Sequence, residues 1–359
     1  MTTPPPLTTK ALLFRLAAIG VVVGCVALAF AFTGGWLSPA KLTPSRVIDT
    51  FEKLNGEHPG FRRNHAKGVC FRGTFESNGQ GAALSKSVVF QPGKVPVIGR
   101  FALAGGMPFQ TDAPGTVRSM AIQFQLPNGE EWRTGINNIP VFPVLTGEEF
   151  NAQMIAFAPD SATGKPDPAK MKAFLDAHPA TAKALPLIIN REISTGFANS
   201  TYNSLNAFQF IAADGKNTPV RWAMVPEQPF APIDKSDPGK SDKNYLFDAL
   251  IAAVHSGPQR WKFIVTIGDP SDSTSDSTVP WPADRKTVDV GTLVIDSVES
   301  EDVSPARDIT FDPLILPNGI APSDDPVLSA RSATYSQSFT RREGEPKTPS
   351  AVSTAETKK

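Results

Sequence analysis

Four histidines occur in the 359-residue chain, at 58, 65, 178 and 255. Only His65 has a crowded polar setting, Phe61-Arg62-Arg63-Asn64-His65-Ala66-Lys67-Gly68. Imidazole titrates near neutrality, so His65 is the first candidate for a general acid–base. By itself it is weak, because an isolated His is more often structural. Asn137-Asn138 open a turn before an extended run. An amide there can orient a small polar ligand, and Asn-Asn is equally an ordinary turn signal. Arg331 and Tyr335 stand four apart in a stretch of helical character and so share a face. A guanidinium held against a phenol favours the phenolate, and a phenolate is an iron ligand. Alone, this pair also reads as a surface pair.

Composition narrows the classes. Thirty-five basic residues balance 35 acidic ones, which excludes the basic surplus that nucleic acid demands. Of two cysteines, Cys25 lies in an apolar run, leaving Cys70 alone in the remainder. No intramolecular disulfide and no Cys-rich metal site can form there. The 34 prolines and 27 glycines predict many turns and few long helices.

The elements that must position these residues begin with an apolar run, Ala11–Phe32, near the length of a bilayer span. Lys10 and Arg15 place its N-terminal side in the cytoplasm. Two other readings stand beside the anchor. Ala29-Phe30-Ala31 fits a signal-peptide cleavage site, and Val22-Val23-Gly24-Cys25 loosely fits a lipoprotein box. An amphipathic helix follows over Arg46–Leu54. Beyond His65 the pattern is extended: Ser87–Phe90, Val97–Leu103, Val117–Leu126 and Pro140–Leu145, then Leu187–Ile193, Ala207–Ala212, Val220–Val225, Trp261–Ile267 and Val288–Ile295. Helices are predicted over Ala169–Leu185, broken at Pro179, over Tyr245–His255 and over Val327–Arg342. Phe230–Lys243 reads as loop. Strands without helical crossovers predict an α+β chain built on an antiparallel barrel or sandwich. The division is 1–36, tail and anchor or signal; 37–342, one domain; 343–359, a disordered polar tail, since Val352 is its only large apolar residue.

Several blocks, taken in order, resemble the haem catalases, and most closely their short membrane-anchored bacterial relatives, the catalase-related peroxidases. They are Arg62–Gly68, Val97–Phe101, Gly115–Phe124, Gly135–Phe142, Trp281-Pro282 with Val290–Val294, and Phe311-Asp312-Pro313 through Pro317–Ser323 to Arg331-Ser332-Ala333-Thr334-Tyr335. The resemblance runs from about Arg46 to Arg342. It implies an eight-stranded antiparallel β-barrel with surrounding helices and irregular loops, preceded by one transmembrane helix. It also implies roles. His65 is the distal acid–base and Asn137 its partner in holding peroxide. Tyr335 is the iron ligand, kept ionised by Arg331. Arg62, Arg100 and Arg342 bind haem propionates, and Phe150 stacks near the haem. His65 then takes a proton from bound peroxide and returns it to the departing oxygen as water leaves.

The activity so implied is a haem peroxidase, with type b haem, reducing hydrogen peroxide or organic peroxides with a small organic donor, with weak catalase activity. Two alternatives are a catalase-fold enzyme that rearranges organic or fatty-acid hydroperoxides and a haem carrier or sensor. The implied location is the bacterial inner membrane, single-pass, with the catalytic domain in the periplasm, or a soluble periplasmic protein after cleavage. The sequence departs from the family pattern in several places. Ala102 stands where a hydroxyl residue is frequent, which weakens the expected hydrogen bond to His65. Pro143 interrupts the asparagine turn. Ser336-Gln337-Ser338 replaces the usual Pro-Asp-Thr. The family's C-terminal helical domain and long N-terminal arm have no counterpart here. The expectation is therefore no NADPH site, a looser homo-oligomer and a more open haem edge that favours organic donors.

Overall fold

The computed structural model describes residues 8–38, 41–160, 162–233 and 243–354. The chain divides into two units, Met1–Val47 and Ile48–Lys359. In the first, helix α1 (Thr9–Thr33) is capped by the Thr8 hydroxyl, which accepts from the Ala11 N–H. It ends where Gly34 donates to the Phe30 carbonyl at 2.8 Å. Its 25 residues extend about 37 Å at the α-helical rise. It is long and apolar enough to cross a membrane, a test that an N-terminal signal sequence also passes. The expected run Ala11–Phe32 lies inside it.

Helix α2 (Pro44–Asn55) carries the unit boundary and buries Ile48 and Phe51. The second unit then builds one sheet from β1 (Gly68–Ser77), β2 (Gly93–Leu103), β3 (Arg118–Gln125), β4 (Glu131–Asn137), β5 (Tyr202–Asn203), β6 (Phe208–Ile211), β7 (Asn217–Pro226), β8 (Gln259–Ile267), β9 (Thr287–Glu299) and β10 (Ile320–Pro322). Eight of them close a circuit, β1-β2-β3-β4-β5-β7-β8-β9 and back to β1, through antiparallel pairings throughout. Strands β6 and β10 extend from β7. Closure satisfies the strand edges that an open sheet would leave unpaired.

Alternation along each strand separates a packed interior from an outer face. On β4, Trp132, Thr134 and Ile136 are buried, whereas Glu131, Arg133, Gly135 and Asn137 are more open. Inside, Trp132 stacks on Phe124 at 4.8 Å and meets Trp222 edge-on at 5.2 Å. Each such aromatic pair adds about 1 kcal/mol beyond area burial.

Helices α3 (Gly147–Ala156), α4 (Pro168–Ala177), α5 (Pro179–Ile189), α6 (Tyr245–Ser256) and α7 (Pro326–Glu343) complete the described elements. The break expected at Pro179 separates α4 from α5. His178 there has ψ of 74°, because a residue before proline is pushed out of the helical region. Four expectations fail. Ser87–Phe90 is not a strand: Val88–Phe90 form a 3₁₀ turn that places Phe90 5.0 Å from Phe210. Pro140–Leu145 forms no strand, since Pro140 and Pro143 lack the N–H a ladder needs. Leu187–Ile189 belong to α5, which continues past Pro186.

The fourth concerns the tail expected to be disordered from Glu343, whose described part is packed. Glu345 accepts from Gly60 N at 2.8 Å and pairs with Arg63, Lys347 pairs with Asp308, and Val352 is fully buried. Composition missed it because one apolar anchor and charges with individual partners suffice to hold a short segment. Of the predicted loop Phe230–Lys243, residues 234–242 lie outside the described residues, as do 355–359.

Candidate active site

His65 is carried by the loop between α2 and β1, and it is one of two non-glycine residues with positive φ among the described residues, at 57°. Such a conformation persists only where neighbours over-determine it. Here the Asn64 side-chain oxygen accepts from His65 N and from Gly105 N, each at 2.9 Å. Ala66 N donates to the Gly105 carbonyl at 2.9 Å. From β2, the Arg100 guanidinium donates to the carbonyls of His65 at 2.6 Å and Ala66 at 3.0 Å. Gly68 makes room for that fork: a Cβ there would lie 2.4 Å from Arg100 Cζ. The glycine after the histidine cluster therefore serves close approach rather than flexibility.

Lys67 of the same cluster points away from this site. Its ammonium is fully buried against Asp112 at 2.6 Å and also donates to the Gln110 and Lys243 carbonyls. Asp112 in turn accepts from Leu246 N at the start of α6. Lys67 thus ties the His65 loop to a helix terminus.

The barrel register organises the rest. One row across its outer face runs Gly68, Ala102, Ser119, Asn137 and Asn203 on successive strands. The next runs Cys70, Arg100, Ala121 and Gly135. Ser119 Oγ lies 3.0 Å from His65 Nδ1 and donates to Asn137 Oδ1. With its proton directed to Asn137, the Ser119 oxygen accepts from Nδ1–H. That leaves Nε2 with the lone pair and the Asn137 amide NH₂ free to donate. Of the Asn pair, Asn138 does the turn work, accepting from Arg118 N at 2.8 Å.

Ser119 is the functional residue that sequence reasoning missed. It stands directly across from Ala102, so the hydroxyl expected on β2 comes from β3, and the anticipated loss of a hydrogen bond to His65 does not occur. The signal was available: Ala102 in one strand and Ser119 in the next are complementary once register is known. Ser119→Ala should free the His65 tautomer and lower the rate of any proton transfer that uses His65 about tenfold. The double change Ser119→Ala/Ala102→Ser should restore it. Histidine ¹⁵N NMR on a chain with four His reads the tautomer directly; an unchanged His65 signal in Ser119→Ala would reject this role.

Burial, then the charges of Arg100, Arg331 and Arg62, lower the His65 pKa to about 3, against a weaker raising contact from the Leu103 backbone. His65 is therefore held neutral, as a proton acceptor. That Arg331 acts on it also places the second half of the site close by. Helix α7 starts at Pro326, with Asp325 accepting from Val327 N at 2.8 Å. One turn apart, Arg331 and Tyr335 share a face, the guanidinium 5.9 Å from the phenol ring. Arg331 donates to Gly135 O at 2.9 Å and to Asn206 Oδ1 at 2.6 Å, and Asn206 donates to buried Asp325 at 2.7 Å. A Cβ on Gly135 would come 3.6 Å from the Tyr335 oxygen. Gly135 and Asn137 point to the same face of β4, about 7 Å apart.

The predicted arginines come together. Arg62 and Arg100 both pair with Glu301, at 3.3 and 2.7 Å. Arg62 also donates to the carbonyls of Ala306 and Ile309, 3.1 and 2.8 Å away. Arg342 is 3% exposed, yet its Nη2 has no hydrogen-bond partner. Burial and then the Arg100 charge lower its pKa to about 10. Phe150, on α3, stacks on Phe142 at 5.9 Å and lies 6.1 Å from Phe51. Among the other histidines, His58 and His178 bond the Asn55 and Phe174 carbonyls, at 3.0 and 2.7 Å, and His255 is exposed. An orphaned buried guanidinium nitrogen, a cationic cluster and a wall of Gly and Ala beside a phenol fit a flat, carboxylate-bearing group such as haem.

Comparisons with known proteins show the family of the chain. The catalase family model matches residues 31–350. The chain is 35% identical to a catalase-related peroxidase of Synechococcus elongatus, over 92% of this chain and 96% of that one. It is 36% identical to a catalase-related peroxidase of Mycolicibacterium paratuberculosis, over 84% and 96%. Catalase A of Saccharomyces cerevisiae shares the fold, with a TM-score of 0.73 at 20% identity over 83% of this chain and 64% of that one. Barrel, paired half-sites and sequence together make this chain a member of the catalase family.

Proposed function

We propose that the chain is a haem-dependent peroxidase, reducing hydrogen peroxide or organic peroxides with an organic electron donor and showing weak catalase activity. The observation that carries the reading is the pairing of half-sites on β4. Asn137 faces the neutral base His65, and Gly135 faces Arg331 and Tyr335, on the same side of one strand. The catalase-related peroxidases to which it is similar supply the prior for peroxide.

In this reading Tyr335 holds the iron and Arg331 supplies the adjacent positive charge. Arg342, with Arg62 and Arg100, faces the propionates, and Phe150 belongs to the aromatic lining. Bound haem, of type b, supplies the redox chemistry. His65 Nε2 accepts the proton from one peroxide oxygen and returns it to the departing oxygen, which leaves as water. The Asn137 NH₂ donates to peroxide and fixes its approach, while Ser119 holds both partners in register.

The absorption spectrum of the purified protein tests the cofactor: a high-spin ferric, tyrosinate-type haem is expected. Turnover tests the activity. Peroxide-dependent oxidation of a phenolic donor is expected. Oxygen evolution at catalase-like rates with phenols ignored, or rearrangement of a lipid hydroperoxide without a donor, would overturn the peroxidase assignment.

The apolar helix α1 supports a location in the bacterial inner membrane. As a single-pass anchor with Lys10 and Arg15 on the cytoplasmic side, it leaves the barrel in the periplasm of a bacterium. Retention in the membrane fraction after an alkaline wash is expected; release there indicates a cleaved signal instead.

A further inference from the structure

The arginine cluster contains a carboxylate that takes no part in the proton transfer at His65 or the iron site at Tyr335. Glu301 follows the end of β9, is 4% exposed, and bridges two arginines. Its Oε1 takes Arg100 Nε at 2.7 Å and Arg62 Nη1 at 3.3 Å, and its Oε2 takes Arg100 Nη2 at 3.2 Å. Arg342 completes the group with an unpartnered buried nitrogen. Arg62 and Arg342 each have their pKa lowered by burial first and then by neighbouring arginines, so the cluster is short of negative charge even with Glu301 present.

Resting on the peroxidase reading, we propose that Glu301 sets the charge of this cluster: three guanidiniums less one carboxylate leave +2, the complement of a cofactor with two carboxylates. Glu301 is a permanent counter-ion rather than a placeholder displaced on binding. Its partner Arg100 also clamps the His65 and Ala66 carbonyls, so displacing Glu301 would loosen the loop that presents His65. A cluster at +3 would be less stable empty and would hold a dicarboxylate more tightly, since like-signed carboxylates near one another repel. Glu301 therefore lowers cofactor grip in exchange for a preformed empty site.

The test uses Glu301→Gln and Glu301→Asp in the full chain. Haemin transfer to excess apomyoglobin gives the retention rate, and melting of the haem-free protein gives the stability of the empty cluster. Glu301→Gln should lose haemin on the order of tenfold more slowly than the unsubstituted protein. Its haem-free form should melt lower and recover with inorganic phosphate. Loss of a protoporphyrin dimethyl ester, which has no free carboxylate, should be unchanged. Glu301→Asp keeps the charge and should behave as the parent. Haemin loss from Glu301→Gln at or above the parent rate overturns the proposal. So does an equal effect on the dimethyl ester, or Glu301→Asp behaving as Glu301→Gln. If the unsubstituted protein takes up no haemin, the peroxidase reading fails. The phosphate arm then decides alone: stabilisation by phosphate confined to Glu301→Gln upholds the charge-setting role, and its absence ends it.

Discussion

Replacing His65 with Ala should slow the reaction with hydrogen peroxide by about a thousandfold, the middle of the range for general acid–base groups, while haem remains bound. The imidazole is linked to the Asn137 amide through Ser119 Oγ, and neither Ser119 nor Asn137 can take a proton at neutral pH. Stopped-flow mixing of the ferric protein with peroxide measures the effect, and retention of the absorption spectrum separates it from loss of cofactor. The pH dependence sharpens the test. With its pKa lowered to about 3 by burial and then by Arg100, Arg331 and Arg62, His65 stays unprotonated well below the usual histidine range. A folded-state pKa below the unfolded one means that acid removes the function only as pH approaches that low value. The peroxide rate should therefore be flat from pH 6.5 down to about 4. A rate that halves near pH 6.5 would mean that the arginine field does not act as described.

Replacing Tyr335 with Phe should cost the protein its haem. The phenol oxygen lies 3.6 Å from where a Cβ on Gly135 would sit, beside a guanidinium that is itself immobilised by Gly135, Asn206 and, through Asn206, Asp325. Phe keeps the ring and its packing but removes the oxygen, so α7 should remain folded. Haem affinity should fall by at least about a hundredfold, beyond the usual cost of disturbing only a ligand's support. Haemin titration followed at the Soret band measures it. A Tyr335→Phe protein with the parent spectrum and affinity would place the iron ligand elsewhere. If His65 and Tyr335 have the proposed roles, the two substitutions should separate: one binds haem without reacting, the other does not bind it.

Much of this was legible in the sequence because it is local. The four-residue spacing of Arg331 and Tyr335 becomes a shared helix face without any knowledge of the fold. Alternation predicts β3, β7 and β8, and the Pro179 break follows from the missing N–H and the restricted residue before it. Motif order along the chain named the family, its barrel and the residues that should meet. The errors fell where local pattern is ambiguous. Leu187-Ile188-Ile189 suits a strand or the end of a helix equally well, and α5 runs through it with Leu187 and Ile189 exposed. Sparse hydrophobicity after Glu343 suggested disorder, yet one buried valine and a few charge partners fix the segment beside the His65 loop.

What only the tertiary structure decided is which side chains share a surface once strands far apart in sequence are paired. Register set Ser119 opposite Ala102, so a hydroxyl missing from one strand is supplied by its neighbour. Contacts between the loops around the barrel send Lys67 to Asp112 and away from the site, and bring Glu301 between Arg62 and Arg100. The sequence by itself singled out His65, Asn137 and Tyr335 as the candidate acid–base, amide and phenol. Closure of the barrel decided what surrounds them, and with it the tautomer and charge of His65, because these depend on contacts across long stretches of chain that no local pattern encodes.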